Sequence, residues 1–215
     1  MLNFAQCWTS LNRSQDWKAK ITFGLSLIDL WRYEIVKLPV VDTTISLTEI
    51  PDKVTVVFLI GNCHGKCPGC HSEYLSIPLP KNSWVDFDII QKRAQEQKNL
   101  GANAILLMGG TTNGIPLPIL QEAIKRLSEI LPVGLYSGAS YNSTINKELR
   151  KNINLTWLKT GEFIEEKGGL DNSQTNQKFF VRDLKSKEWK DVTYLFQSLK
   201  KGEKVERTFK RISIR

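Results

Sequence analysis

The residues best suited to chemistry are three cysteines that stand within eight positions of one another, Cys63, Cys67 and Cys70. Glycines and a proline lie between them, which predicts a backbone able to fold tightly around a compact object. Thiolates are soft ligands that suit iron–sulfur clusters, zinc or copper(I). An ordinary electron-transfer 4Fe–4S cluster uses four cysteines. With three cysteines, one iron of the cluster has no protein ligand. In catalytic metal sites such an open coordination position can be taken by a substrate.

Two other interpretations fit the same cysteines. A structural zinc site could recruit His64 or His71 as a fourth ligand, although the second spaced ligand pair of most such sites is missing. A redox dithiol could use Cys67 and Cys70, whose spacing matches that of thiol–disulfide oxidoreductases, but such a site has no need of Cys63. The fourth cysteine, Cys7, lies far upstream and is interpreted as a buried or incidental thiol.

Alternating strands and helices are predicted to position these cysteines. Residues 1–40 follow neither a helical nor a strand period, whereas the following segments do. The predicted strands are Lys53–Ile60, Ala104–Met108, Val133–Ser137 and Leu155–Thr160; the predicted helices are Asp86–Asn99, Pro116–Leu131 and Thr144–Lys151; and Lys178–Asp183 with Asp191–Phe196 form a predicted terminal hairpin. This alternation predicts an α/β fold with a mainly parallel sheet, open or curled into part of a barrel.

In such sheets, reactive groups gather at the carboxyl ends of the strands. The cysteines follow the first predicted strand, the pair Gly109–Gly110 follows the second, and Ser137 ends the third. The sequence therefore predicts that these three segments meet at one edge of the sheet.

Charge and hydropathy limit the classes of protein. The formal net charge of +8 is concentrated in residues 178–215, which hold 12 Lys and Arg against 5 Asp and Glu. This tail is interpreted as a solvated segment, with docking to an acidic partner or nucleic acid as the alternative. No uncharged apolar run is long enough to span a membrane and no secretory signal is recognised, so a soluble, cytoplasmic protein without a membrane partner is expected.

The cysteine spacing, three residues and then two, resembles the signature of the radical S-adenosylmethionine enzymes. Further segments resemble, in the same order, the activating proteins of anaerobic (class III) ribonucleotide reductases, over roughly Ile45 to Phe196. These segments are Ile50–Lys53, Cys67–His71, Tyr136–Gly138, Gly161–Glu166, Gly168–Leu170 and Thr175–Phe179. The cysteine motif indicates the superfamily, and the Gly-Glu-Phe-Ile-Glu-Glu and Thr-Asn-Gln segments indicate the subfamily.

The resemblance implies a partial (β/α) barrel and a set of residue roles. Cys63, Cys67 and Cys70 would each ligate one iron of a 4Fe–4S cluster, and the fourth iron would bind the methionine part of S-adenosylmethionine. An electron from a donor such as a flavodoxin or ferredoxin would cleave the sulfonium to a 5′-deoxyadenosyl radical. That radical would take a hydrogen from a glycine of the partner reductase and leave a glycyl radical there. Gly109, Gly110, Thr111, Ser137 and Asn176 are the expected contacts to S-adenosylmethionine.

The chain departs from the family at one position. Members often carry an acidic residue directly after the glycine pair, whereas this chain has Thr111. A hydroxyl oxygen can accept hydrogen bonds from the methionine amino group, but more weakly than a carboxylate. The expected organisation is an N-terminal extension (residues 1–44), a radical S-adenosylmethionine domain (45–196) and a basic tail (197–215).

Three alternatives to this function remain open. Two share its chemistry: an activator of another glycyl-radical enzyme, and a radical enzyme that acts on a small molecule. The third, from a different class, is a zinc-stabilised nucleic-acid-binding module. It is ranked lowest because the sequence has no second zinc knuckle and no base-reading motif.

Overall fold

The computed structural model describes residues 36–197 of the 215-residue chain. All of them except Val36 belong to one packing unit that begins at Lys37. Cys7, most of the segment 1–44 and the basic tail beyond residue 197 lie outside the described residues, so the sequence predictions for them stay predictions.

The described part contains three α-helices and nine strands, numbered along the chain. The strands are β1 (Lys37–Leu38), β2 (Val40–Ser46), β3 (Thr55–Ile60), β4 (Val85–Asp86), β5 (Ala104–Met108), β6 (Val133–Tyr136), β7 (Leu155–Thr160), β8 (Lys178–Arg182) and β9 (Trp189–Asp191). The helices are α1 (Phe87–Asn99), α2 (Leu117–Ser128) and α3 (Thr144–Lys151). Four short 3₁₀ turns occupy Glu73–Ser76, Lys81–Ser83, Glu165–Lys167 and Thr193–Leu195.

Seven of the strands form one open mixed sheet in the order β2-β3-β5-β6-β7-β8-β9. The four central strands, β3, β5, β6 and β7, run parallel to one another. The flanking strands β2, β8 and β9 are antiparallel. The predicted α/β class is therefore confirmed, while the parallel pairing is confined to the centre of the sheet. Strand β2 begins at Val40, so this edge strand starts before residue 45, the predicted beginning of the domain. Strands β1 and β4 form a separate two-stranded sheet.

The central strands form where they do because their side chains are buried on both faces of the sheet. One face packs around Ile50, Leu106, Trp157 and Phe179. The alternate residues of the same strands, among them Phe58, are fully buried on the other face. The predicted buried strand at Lys53–Ile60 is confirmed as β3.

Each helix follows from its apolar spacing and its ends. Helix α1 buries Phe87, Ile90 and Ala94 along one stripe and ends before Gly101, whose φ is +106°. Helix α2 has a proline in its first turn and buries Leu120, Ala123, Ile124 and Leu127. In α3 the Ser143 hydroxyl accepts from the Asn146 backbone N–H at 3.3 Å and caps the helix. All three predicted helices are confirmed.

The predicted second strand of the terminal hairpin, Asp191–Phe196, is wrong. Strand β9 begins earlier, at Trp189, and ends at Asp191. The Asp191 carboxylate accepts hydrogen bonds from the backbone N–H and the hydroxyl of Thr193 and thereby starts a 3₁₀ turn. Phe196 nevertheless packs against Phe179, with ring centroids 4.8 Å apart.

None of the helices in residues 36–197 combines the length and the apolar character that crossing a membrane requires.

Candidate metal centre

The cysteine loop, residues 61–71, begins where β3 ends, and its first residues are tied to the chain on either side. The Gly61 N–H donates to the Pro39 carbonyl at 2.7 Å, and the Cys63 N–H donates to the Leu75 carbonyl at 2.9 Å. Asn62 adopts φ +58°, and its amide group both donates to the Leu79 carbonyl and accepts from the Leu79 N–H. Asparagine tolerates this left-handed conformation better than most residues. The start of the loop is thus fixed by backbone hydrogen bonds and by the side chain of Asn62.

The three thiols are partly buried, and none forms a disulfide with another described residue. Gly65 lies between two of them, because a Cβ built on it would be 3.4 Å from Cys63 Sγ and 3.6 Å from Cys67 Sγ. The Cys70 N–H donates to the Cys67 carbonyl at 3.2 Å and closes a turn through Gly69, whose φ is +68°. Two of the sulfurs thus lie against the same glycine, and the soft donor set suits a compact thiolate-bound group.

Within residues 36–197, no three His, Cys, Asp or Glu side chains are arranged to hold a metal ion. A single ion requires its ligands to converge on one point, with zinc–sulfur distances of about 2.3 Å. A cluster attaches each cysteine to a separate iron, so its thiolates stand further apart. His64 and His71 are both exposed. The three cysteines suit a cluster by their type, and their role as ligands stays a prediction.

The glycine pair after β5 serves the protein's own packing. Gly109 and Gly110 have φ values of +113° and +125°, a region that favours glycine. A Cβ at Gly109 would lie 3.1 Å from the Asn113 amide oxygen, and one at Gly110 would lie 3.0 Å from a methyl group of Leu120. Internal packing therefore accounts for both glycines, and the predicted close approach to methionine is an additional role that stays a prediction.

Asn113, which the sequence analysis did not assign, connects the glycine pair to the cysteine loop. It is buried, and its side-chain amide donates to the carbonyls of Ile60 and Gly61 at 2.9 and 2.8 Å. Its amide oxygen accepts from the Gly110 N–H at 2.6 Å. One side chain thus joins the carboxyl ends of β3 and β5. The signal available in the sequence was an asparagine in a turn directly after a glycine pair.

The two threonines between Gly110 and Asn113 contact neighbouring segments. The Thr111 hydroxyl lies 2.9 Å from the hydroxyl of Ser137, which also accepts from the Ala139 N–H. The Thr112 hydroxyl oxygen lies 3.6 Å from Cys63 Sγ, and the Thr112 carbonyl accepts from the His64 N–H at 2.8 Å. The structure therefore brings together the three predicted segments that follow β3, β5 and β6.

Asn176, the remaining predicted contact, lies beside the carboxyl end of β7. Its side-chain amide donates to the Glu162 carbonyl at 3.0 Å, and a Cβ at Gly161 would lie 3.1 Å from its backbone oxygen. The buried Asn176 Oδ1 has no hydrogen-bond donor among the described residues. A buried acceptor without a donor is costly, so this atom is suited to receive one from a ligand.

Lys159 is a second residue that the sequence analysis missed. Burial lowers its pKa to about 8, against the opposing attraction of Cys67, Cys70 and Glu49. Its ammonium group donates to the Gly161 carbonyl at 2.9 Å. The available signal was one lysine near the carboxyl end of an otherwise uncharged strand.

The neighbour of Lys159 across the β6–β7 pair is Tyr136. Burial, followed by the negative charge of Glu49, raises the pKa of the Tyr136 hydroxyl well above its usual value. That hydroxyl donates to the Glu49 carbonyl at 2.6 Å, so its proton already has a hydrogen-bond acceptor within the protein. Residues 61–71, 109–113, 137–139 and 159–161 lie at or just beyond the carboxyl ends of β3, β5, β6 and β7. Together with Asn176, which contacts Gly161 and Glu162, they are called the carboxyl rim below.

No protein-family model matches this chain, and no curated protein or solved structure matches it significantly.

Proposed function

We propose that this protein is a radical S-adenosylmethionine enzyme that generates a glycyl radical on an anaerobic ribonucleotide reductase. The observation that carries the proposal is the group of three partly buried, unbridged thiols on the carboxyl rim, with Gly65 between two of the sulfurs. The sequence resemblance supports the subfamily. The parallel strands β3, β5, β6 and β7 would form the corresponding part of a (β/α) barrel.

In this proposal, Cys63, Cys67 and Cys70 would hold a 4Fe–4S cluster, and the iron without a cysteine ligand would be available to S-adenosylmethionine. When bound, the cluster and S-adenosylmethionine supply a one-electron cleavage that yields a hydrogen-abstracting radical. The electron comes from a donor such as a flavodoxin or ferredoxin. The protein itself positions the sulfonium and keeps water away from the reacting atoms.

Several rim groups offer contacts for this substrate. The hydroxyls of Thr111 and Ser137 form a pair 2.9 Å apart next to the glycine pair. Each can accept a hydrogen bond from an ammonium group, although without the charge of a carboxylate. Asn176 adds an amide oxygen that has no donor among the described residues. These groups would orient the methionine and ribose parts of S-adenosylmethionine.

The direct test is anaerobic purification, reconstitution with iron and sulfide, and assay of 5′-deoxyadenosine formed from S-adenosylmethionine under a strong reductant. The parent should bind about four irons, the number in one such cluster. Cys63→Ala, Cys67→Ala and Cys70→Ala should each lose cluster and product. Cys7→Ala is the matched control and should retain both.

Two results would contradict the proposal. If the three cysteine variants form as much 5′-deoxyadenosine as the parent, the cysteines do not carry the chemistry. If the anaerobic protein holds one zinc per chain and no iron, a zinc-stabilised binding module is the better interpretation. The partner is tested separately: a glycyl radical signal on a reductase mixed with the protein supports the subfamily, while product without that signal favours another glycyl-radical enzyme or a small-molecule substrate.

A further inference from the structure

Thr112, in the segment that follows β5, contacts the cysteine loop directly. Its hydroxyl forms a hydrogen bond with the Cys63 sulfur, with 3.6 Å between Oγ1 and Sγ. Its backbone carbonyl accepts from the His64 N–H at 2.8 Å. Two contacts thus join Thr112 to two consecutive residues of the loop, and one of these residues is a proposed iron ligand.

The fold holds both partners of this hydrogen bond in place. A Cβ built on Gly138 would lie 3.5 Å from Thr112 Cγ2 and 3.7 Å from Thr112 Oγ1, so the threonine packs beside the segment that follows β6. A β-branched side chain is also restricted at χ1. On the other side, the Cys63 N–H donates to the Leu75 carbonyl at 2.9 Å and fixes the cysteine backbone. The hydroxyl and the sulfur are therefore positioned by different segments of the protein.

The direction of the hydrogen bond depends on the state of the cysteine. A thiol can donate or accept, whereas a cysteine that ligates iron is a thiolate and has no hydrogen on its sulfur. The Thr112 hydroxyl must then be the donor. Its other acceptor, Asn113 Oδ1 at 3.5 Å, already receives the Gly110 N–H at 2.6 Å. Because hydrogen bonds to a charged acceptor are the stronger ones, the thiolate is the favoured acceptor.

The sulfur of Cys67 has the opposite kind of neighbour. It lies 3.7 Å from the Gly65 carbonyl, an acceptor that can bind a thiol hydrogen but offers no hydrogen to a thiolate. Among the three cysteines of the loop, only Cys63 has a hydroxyl donor supplied by the residues that the structure describes. The arrangement therefore favours the thiolate form of one particular ligand.

We propose that Thr112 donates a hydrogen bond to the Cys63 ligand sulfur and thereby raises the reduction potential of the cluster. This inference rests on the proposed function. Reduction adds negative charge to the cluster and its thiolates, and a hydrogen bond donated to a sulfur stabilises the more negative state. Hydrogen bonds to the sulfurs are among the factors that set the potentials of iron–sulfur clusters. Thr112 is a positioning residue, because it acts through Cys63.

The test is a redox titration of the anaerobically reconstituted protein without S-adenosylmethionine, with the signal of the reduced cluster as the readout. Thr112→Val removes the hydroxyl and nearly keeps the side-chain shape. At a fixed potential it should lower the ratio of reduced to oxidised cluster about fivefold, a shift of about 40 mV, since tenfold is 59 mV for a one-electron couple. Thr112→Ser keeps the donor and should stay close to the parent. Thr44→Val, the same exchange at an exposed position of β2, is the matched control.

The outcomes separate the inference from the function on which it rests. An unchanged potential in Thr112→Val overturns the inference, while the bound cluster still supports the proposed function. An equal shift in Thr112→Ser also overturns it, because the hydroxyl would then not be the cause. A parent that binds no iron overturns both.

A further variant covers the case in which Thr112→Val loses the cluster. Thr112→Ala then replaces it in the titration, with the same expected shift. Cluster loss in both variants without a hydroxyl, together with retention in Thr112→Ser, supports the hydrogen bond to the ligand sulfur. Cluster loss in all three variants overturns the inference.

Discussion

Two regions of this protein place cations beside aromatic rings, and they differ in what satisfies the charge. In the arginine corner, formed by Arg150, Arg182 and Trp189, the protein supplies the partners. The Arg182 guanidinium donates to the carbonyls of Arg150, Leu155 and Asn152 at 2.6 to 2.9 Å and lies 4.5 Å from the Trp189 ring centroid. Two of those carbonyls lie at the end of α3, where helices leave acceptors unsatisfied and cations are favoured.

The carboxyl rim leaves bonding capacity open instead. Lys159 donates to one carbonyl, Asn176 Oδ1 has no donor among the described residues, and the cysteine thiols are not bridged to one another. A cluster of polar groups that is fully satisfied holds structure together, whereas one with spare donors and acceptors is prepared for a ligand. The comparison therefore sets a corner that supplies the hydrogen-bond partners of its own cation against a candidate site with spare donors and acceptors.

The largest effect of a substitution is expected at Asn113, a rim residue whose side-chain amide is hydrogen-bonded to three backbone groups. In Asn113→Asp the carboxylate cannot donate to the carbonyls of Ile60 and Gly61, and it adds a buried charge. We expect a loss of about 3 kcal/mol or more in the free energy of unfolding, together with loss of cluster binding. Urea unfolding and iron content measure the two effects.

The control for this change is Asn99→Asp, an exposed residue at the end of α1. It should leave both quantities within error of the parent. If Asn113→Asp were as stable as the parent and still bound iron, the amide would not be what joins β3 to β5.

A smaller effect, confined to stability, is expected in the arginine corner. Arg182→Met removes three charge-assisted hydrogen bonds, although the Arg150 carbonyl keeps Trp189 Nε1–H and the Asn152 carbonyl keeps the Leu155 N–H as donors. The loss should cost about 2 kcal/mol in the free energy of unfolding. Cluster content per folded molecule should not change. Urea unfolding and iron analysis of the folded fraction check this.

Arg93→Met is the matched control, because Arg93 is exposed on α1 and, among residues 36–197, its side chain makes only a 3.4 Å hydrogen bond to Thr43. This substitution should leave the free energy of unfolding nearly unchanged. Loss of the cluster in folded Arg182→Met would break the distinction between the two regions.

The smallest effect is expected in the turn between β8 and β9. Lys190, then the N–H groups of Ser186 and Lys185, hold the pKa of the Asp183 carboxyl well below its usual value. A lowered folded-state pKa contributes stability above the unfolded pKa of about 3.9, and this contribution is lost as pH falls below that value. Asp183→Asn should remove this part of the acid destabilisation, slightly, since the ion pair is close to solvent.

Urea midpoints at pH 7 and at pH 3 measure that loss. Asp52→Asn serves as control, because Asp52 forms no ion pair with any described residue. The difference between the two pH values should shrink in Asp183→Asn and stay at the parental size in Asp52→Asn. If the difference between the two midpoints shrank equally in both variants, the Asp183 turn would not be the source of this acid destabilisation.

The central sheet was predictable because its signals are local. Strands β5 and β7 and helix α3 have the bounds that their apolar runs, glycines and prolines predict. Edge strand β2 was not predicted, since most of its side chains are exposed and it lacks a continuous apolar run. The hairpin strand that was predicted at Asp191–Phe196 failed because a carboxylate of one residue and a hydroxyl two residues later favour a turn.

The sequence by itself determined the candidate ligands and their place after a buried strand, because residue type and strand order are written in the chain. It also predicted that the segments after β3, β5 and β6 would meet, and the contacts of Thr111 and Thr112 confirm this. Only the tertiary structure decided that Asn113 joins two strand ends and that Lys159 lacks a carboxylate partner among the described residues. Those properties depend on strand register and on which carbonyls lie opposite, and both arise between segments far apart in the chain.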